Sequence, residues 1–129
     1  MDNCIFCKIT KKEIPANIVY EDENFLALLD IKPIAPGHTQ IITKKHYRWV
    51  WDVPATALAK TGEPNIGKYF EVVQKIALAQ KKAFRADVVR SQIYGEEIPH
   101  AHIWVWPEAT GDEKDLAGNA EKIRKNLTN

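Results

Sequence analysis

Apolar and polar positions alternate most strictly over Pro99-His100-Ala101-His102-Ile103-Trp104-Val105-Trp106-Pro107, a run closed by proline at both ends. Successive side chains of a strand point to opposite faces, so Ala101, Ile103 and Val105 form one row and His100, His102, Trp104 and Trp106 the other. Upstream, Ile18 to Tyr20 and Phe25 to Leu29 flank the acidic turn Glu21-Asp22-Glu23-Asn24 and predict a β-hairpin. Two prolines and a glycine in Asp30-Ile31-Lys32-Pro33-Ile34-Ala35-Pro36-Gly37 exclude regular structure and impose an extended loop. A third strand then runs from His38 to Thr43, ended by Lys44-Lys45-His46. From Pro64 the period becomes helical, with Ile66, Phe70, Val73, Ala77 and Phe84 on an apolar stripe apart from Gln80. Lys68, Lys75, Lys81 and Lys82 occupy its solvated face. Ala86 to Tyr94 returns to strand composition, and Gly95-Glu96-Glu97-Ile98 turns the chain into the alternating run. Asp112 is placed to cap a last helix, about residues 112–127, whose stripe is Leu116, Ala120, Ile123 and Leu127. Tyr47 to Ala59, with Trp49, Trp51 and Pro54, shows no period and is expected to be a packed connector.

Three strands, a long helix, two strands and a terminal helix predict an α+β domain around an antiparallel sheet. At 129 residues the expectation is one domain spanning 1–129, large enough to bury a core without disulfides. Apolar residues at 45% and charged residues at 27% are ordinary for a globular chain, and no apolar run is long enough for a membrane span. The N-terminus lacks the pattern of a secretory signal, so a cytoplasmic protein is expected. A formal charge of +1 leaves no broad electrostatic footprint for nucleic acid or anionic lipid.

The chemistry-bearing residues are few. Cys4-Ile5-Phe6-Cys7 is a C-x-x-C, which in a reducing compartment is either a redox pair or half of a metal site. No strand precedes it, as a thioredoxin-like motif would require, so metal is the better reading. The usual finger pairs such cysteines with two downstream histidines separated by three to five residues, and no H-x₃₋₅-H occurs. Histidine partners would have to be supplied by the fold, from His38, His46, His100 and His102.

These residues resemble the histidine triad (HIT) family, whose motif is His-φ-His-φ-His-φ-φ, φ being apolar, on the last strand of its sheet. His100-Ala101-His102-Ile103-Trp104-Val105-Trp106 matches at every place but the third histidine, where Trp104 stands. The N-terminal Cys4 to Ile9 with Glu13-Ile14-Pro15-Ala16 is similar to the family's opening segment. Asp30 to Pro33, Ala35 to His38, Ile41-Ile42 and Lys44-Lys45-His46 resemble its central loop and strand.

The resemblance implies a five-stranded antiparallel sheet, a homodimer and a purine nucleotide site on the sheet surface. His102 would be the nucleophile attacking the α-phosphorus of a purine nucleoside phosphoramidate or a dinucleoside polyphosphate, with His38 in support. A neutral imidazole with one nitrogen fixed by a hydrogen bond presents a lone pair on the other, which suits it to that role. In the C-x-x-C branch a structural zinc is held by the equivalents of Cys4, Cys7, His46 and His100. The nucleoside would lie against Ile5, Phe6, Ile9, Leu28 and Ile31, with Asp30 accepting from the ribose hydroxyls. Its phosphate would lie at His38, His102 and Trp104.

Three departures bear on activity. An indole offers one N–H and cannot shuttle a proton, so Trp104 removes a leaving-group donor. Glu96 and Glu97 stand where many members carry phosphate-facing glutamine and hydroxyl residues, and Val89 where they often carry asparagine. The main alternative is therefore a catalytically weak or inactive nucleotide-binding module that keeps a structural zinc. A small zinc-dependent nucleic-acid binder is disfavoured by the near-neutral charge.

Overall fold

The computed structural model describes residues 3–128; Met1, Asp2 and Asn129, the ends of the expected domain span, lie outside the described residues. In chain order the elements are α1 (Ile5–Thr10), β1 (Ile18–Glu21), β2 (Phe25–Leu29), β3 (Thr39–Thr43), a 3₁₀ turn (Val50–Asp52), α2 (Ile66–Phe84), β4 (Val89–Ile93), β5 (His102–Pro107) and α3 (Leu116–Asn126). The strands form one antiparallel sheet in the order β1-β2-β3-β5-β4, as the α+β reading requires. No helix among the described residues is long and apolar enough to cross a membrane.

Every side chain of β2 is buried, which requires cover on both faces of the sheet. Phe25, Ala27 and Leu29 join Ile41, Ile103 and Val105 in the core beneath α2. Leu26, Leu28 and Ile42 point the other way and pack with Phe6 and Ile9 of α1. The short helix α1 was not foreseen from the sequence. It begins where the Sγ of Cys4 accepts from the Cys7 N–H at 3.4 Å, so the C-x-x-C is its first turn.

Helix α2 begins one step later than Pro64, at the cap residue Asn65, whose side chain accepts from the Lys68 N–H at 2.8 Å. The buried line is also turned from the expected stripe. Tyr69, Val72, Val73, Ile76, Ala79 and Gln80 face the sheet, and Phe70 is 42% exposed. The Tyr69 hydroxyl sets this rotation by donating to the Ile41 carbonyl at 2.7 Å, with its ring stacked on Phe25. Helix α3 is capped by Asp115, not Asp112, through the Gly118 N–H at 3.1 Å, while Asp112 accepts from Lys114 N–H in the preceding turn.

Gln80, the polar residue that interrupted the predicted stripe, is fully buried. Its amide nitrogen donates to the carbonyls of Gly37 at 2.9 Å and Val105 at 3.0 Å. These carbonyls lie where β3 and β5 reach the end of their ladder at Thr39 and Val105. The amide thus closes the ladder end from the helix side and fixes the chain directly before His38. Gly37 has φ +78 and a Cβ there would collide with the Phe84 ring, so both backbone and packing demand glycine. Gln80→Leu should leave two enclosed carbonyls without this donor and lower the unfolding free energy by about 1–3 kcal/mol in urea titrations. A variant as stable as the parent would contradict this role.

Candidate functional site

Four donor atoms meet where α1, the segment after β3 and the approach to β5 converge. The metal-capable side chains of Cys4, Cys7, His46 and His100 present donor atoms that all lie within 4.8 Å of one another. Sγ of Cys4 is 3.2 Å from Nδ1 of His100, and Sγ of Cys7 is 3.2 Å from Nδ1 of His46 and 3.5 Å from Nδ1 of His100. Tetrahedral zinc with ordinary bond lengths requires sulfur–nitrogen edges of about 3.5 Å, which these three approaches match closely. Burial, followed by the neighbouring Cys4, pushes the Cys7 thiol up to about 11, and burial pushes His100 down to about 4. The histidine is therefore neutral and ready to ligate, while the thiol proton would leave as a cation enters. This Cys₂His₂ set is suited to zinc.

His100 also donates from Nε2 to the Thr43 carbonyl at 2.6 Å, which leaves Nδ1 free for the metal side. Its own carbonyl accepts from Nδ1 of His102 at 2.6 Å. In the neutral ring that second bond selects the tautomer with the proton on Nδ1 and the lone pair on Nε2. The ring stands edge-on to Phe6, with centroids 5.4 Å apart. His102 is buried at β5's start, opposite Ile42, on the face that α1 partly covers.

His38 lies immediately before β3, fully buried, on the same face. Its Nδ1 accepts from the Ile34 N–H at 3.3 Å and its ring is 4.4 Å from that of Trp104. Asp30 is held by Lys32 N–H and by Nε2 of Gln40, each at 2.8 Å, and its Oδ2 is 3.9 Å from Nε2 of His38. Trp104 pairs with Gln40 on β3 and Gln92 on β4.

The remaining expected residues divide. Phe6, Ile9 and Leu28 are buried together, whereas Ile5 and Ile31 are exposed, at 41% and 75%, and lie outside that buried cluster. Glu96 and Glu97 are turned to solvent. Val89 packs on the helix side, opposite Pro107, and so does not face His102.

The segment without a period proves to support the histidines. The Tyr47 carbonyl accepts from the Ala101 N–H at 2.7 Å, Arg48 donates to the Gly95 carbonyl at 2.5 Å, and the Trp49 ring packs so closely on Gly95 that a Cβ there would collide with it. Nothing in the hydrophobic pattern marks these backbone contacts. Gln40 and Tyr94 were likewise unmarked, although each is adjacent to a residue of the site.

Together the fold and site define an α+β protein with a Cys₂His₂ centre built against a histidine-bearing strand. Residues 11–111 match the HIT domain, and the chain belongs to that family. It is 38% identical over 109 residues to an uncharacterised HIT-like protein of Methanocaldococcus jannaschii, covering 84% of this chain and 81% of the other. A zinc-bound histidine triad family protein of Mycobacterium smegmatis superposes with TM-score 0.83 at 30% identity, over 98% of this chain and 94% of that one. A hypothetical histidine triad nucleotide-binding protein of Sulfolobus tokodaii superposes with TM-score 0.76 at 30% identity, over 95% and 91%.

Burial lowers the affinity of His38 for a proton, and the Asp30 carboxylate only partly offsets this. The unfolded chain therefore takes up a proton near pH 6.5 that the folded chain refuses, so stability falls as pH drops below that value. Urea unfolding between about pH 7.5 and pH 5 should show this loss, reduced in His38→Gln. An identical slope in the variant would contradict the assignment.

Proposed function

We propose that this protein is a nucleotide hydrolase or nucleotidyl transferase that works through a covalent nucleotidyl-His102 intermediate. The observation that carries the reading is the Nδ1 hydrogen bond from His102 to the His100 carbonyl, which in the neutral ring leaves the lone pair on Nε2. Nε2 attacks the α-phosphorus of a purine nucleoside phosphoramidate or dinucleoside polyphosphate, and the bond to the leaving group breaks. Water then cleaves the new phosphorus–nitrogen bond. Phosphoryl-type transfer asks chiefly for positioning and oxygen-facing donors, so no catalytic metal is required.

In this reading the nucleoside rests on Phe6, Ile9 and Leu28, with Ile5 and Ile31 at the rim. Asp30 retains acceptor capacity for ribose hydroxyls beside its bonds to Lys32 and Gln40. His38 supports the phosphate side, and Trp104 lies next along the strand. Zinc, when bound by Cys4, Cys7, His46 and His100, is structural: it braces α1 against the approach to β5. The zinc-bound mycobacterial relative supports this use of the cluster. A homodimer is supported by the edge position of β4 and by exposed Phe70, Leu78 and Val88.

The second reading, a nucleotide-binding module without turnover, is favoured by Trp104, whose indole cannot return a proton to a leaving group. One preparation separates them. Incubation with an adenosine phosphoramidate and with diadenosine tetraphosphate should yield an adenylyl adduct by intact mass, absent in His102→Ala. Nucleotide binding without adduct or turnover would leave the binding module standing. The same sample should contain one zinc per chain, lost in His46→Ala, and scatter light as a dimer; a zinc-free folded protein or a monomer mass would overturn those parts.

A further inference from the structure

The outer face of the sheet is covered unevenly. α1 buries Leu26, Leu28 and Ile42 on the β2–β3 half. On the β5–β4 half Trp104, Trp106 and Tyr94 are half-buried, with Gln92 and Arg90 exposed beside them. The rings form one continuous surface. Trp104 is 4.6 Å from Tyr94 and 6.4 Å from Trp106, edge-on or tilted in each case, and His38 is packed behind it.

Two independent features distinguish this surface from ordinary exposed apolar area. It is continuous with the candidate nucleophile, since His102, Trp104 and Trp106 share a strand face at steps of about 7 Å. It also adjoins enclosed polar atoms that lack partners among the described residues: Nε1 of Trp104, Nε2 of His38 and Oε1 of Gln40. Gln40 and Trp104 are cross-strand partners, and His38 contacts Trp104. Unpaired donors and an acceptor therefore gather at one place, directly beside rings that offer a stacking surface.

We propose that Tyr94, Trp104 and Trp106 form a stacking subsite for a planar base on the leaving side of the scissile phosphate, which makes a dinucleoside polyphosphate the preferred substrate. The proposal rests on the reading of His102 as nucleophile. Leaving-group chemistry points the same way. An amine expelled from a phosphoramidate must gain a proton as its bond to phosphorus breaks, and the indole N–H of Trp104 can donate a hydrogen bond but cannot give up its proton. A nucleoside polyphosphate departs as an anion, taking the electron pair of the broken phosphorus–oxygen bond onto its own oxygen. Nε2 of His102 forms the new bond to phosphorus while Nδ1 keeps its proton on the His100 carbonyl. Water then adds hydroxide to phosphorus, releases its other proton to solvent and returns the neutral imidazole. The same residue thus supplies the surface and removes the proton relay.

Calorimetry on the His102→Ala protein measures the subsite without turnover, using diadenosine tetraphosphate and adenosine 5′-tetraphosphate, which differ by one nucleoside. Stacking of one base predicts that the dinucleotide binds about tenfold or more tightly. Trp106→Ala or Tyr94→Ala in the same background should reduce that preference to within about twofold, and Trp106→Phe should retain most of it. Equal affinities, or a preference unchanged in both alanine variants, would overturn the subsite. So would a Trp106→Ala protein whose light-scattering mass falls while the preference persists, which would assign the surface to a second copy of the chain. A wild-type protein that shows the preference but no His102 adduct would retain the subsite and lose the catalytic reading. An adduct without the preference would do the reverse, and no nucleotide binding at all would overturn both.

Discussion

The structure depends on how one buried residue, His100, distributes its polar atoms. Nδ1 faces the two thiols, Nε2 donates to the Thr43 carbonyl, and the main-chain carbonyl accepts from His102. Its N–H donates to the Ile98 carbonyl at 2.8 Å, so every group of a fully buried histidine is engaged. A fully buried imidazole left unpaired would be costly; here each contact also orients a neighbour. The Cys₂His₂ centre and the His102 ring are thus joined through a single residue.

The sheet makes this possible by having two differently used faces. α2 covers one face together with α3, with Tyr69 and Gln80 bonded to sheet carbonyls so that the helix is pinned to β3 and β5. α1 covers only part of the other, and its first turn is built from the cysteines that face His46 and His100. Cover and metal site are thus one device. What α1 leaves open is the continuation of the His102 row at Trp104 and Trp106, bordered by β4.

The strands were legible because their chemistry is local: alternation at His100 to Trp106, β-branched content at His38 to Thr43, and proline and glycine between. Resemblance supplied the grouping of Cys4, Cys7, His46 and His100, which the fold brings together and which spacing alone left open. The helix faces were misjudged for a physical reason. Phe70 fits an apolar period, but a hydroxyl-to-carbonyl bond from Tyr69 and an amide bridge from Gln80 outweigh it, and neither is visible to a hydropathy pattern. The segment Tyr47 to Trp49 escaped detection because it acts through its backbone, an arginine and close packing on a glycine. Helix α1 was missed because six residues are too few to establish a period. The cap residues Asn65 and Asp115 were each displaced from the expected starts by neighbours equally suited to turns.

The proposed chemistry depends on the protonation pattern of His102. Nitrogen-15 NMR of the imidazoles at neutral pH reads it directly, through the distinct shifts of protonated and unprotonated ring nitrogens. A proton on Nδ1 and a lone pair on Nε2, with the Nδ1 proton protected by the His100 carbonyl, is the predicted result. The opposite tautomer, with its proton on Nε2, would contradict the arrangement from which the chemistry of this site is argued.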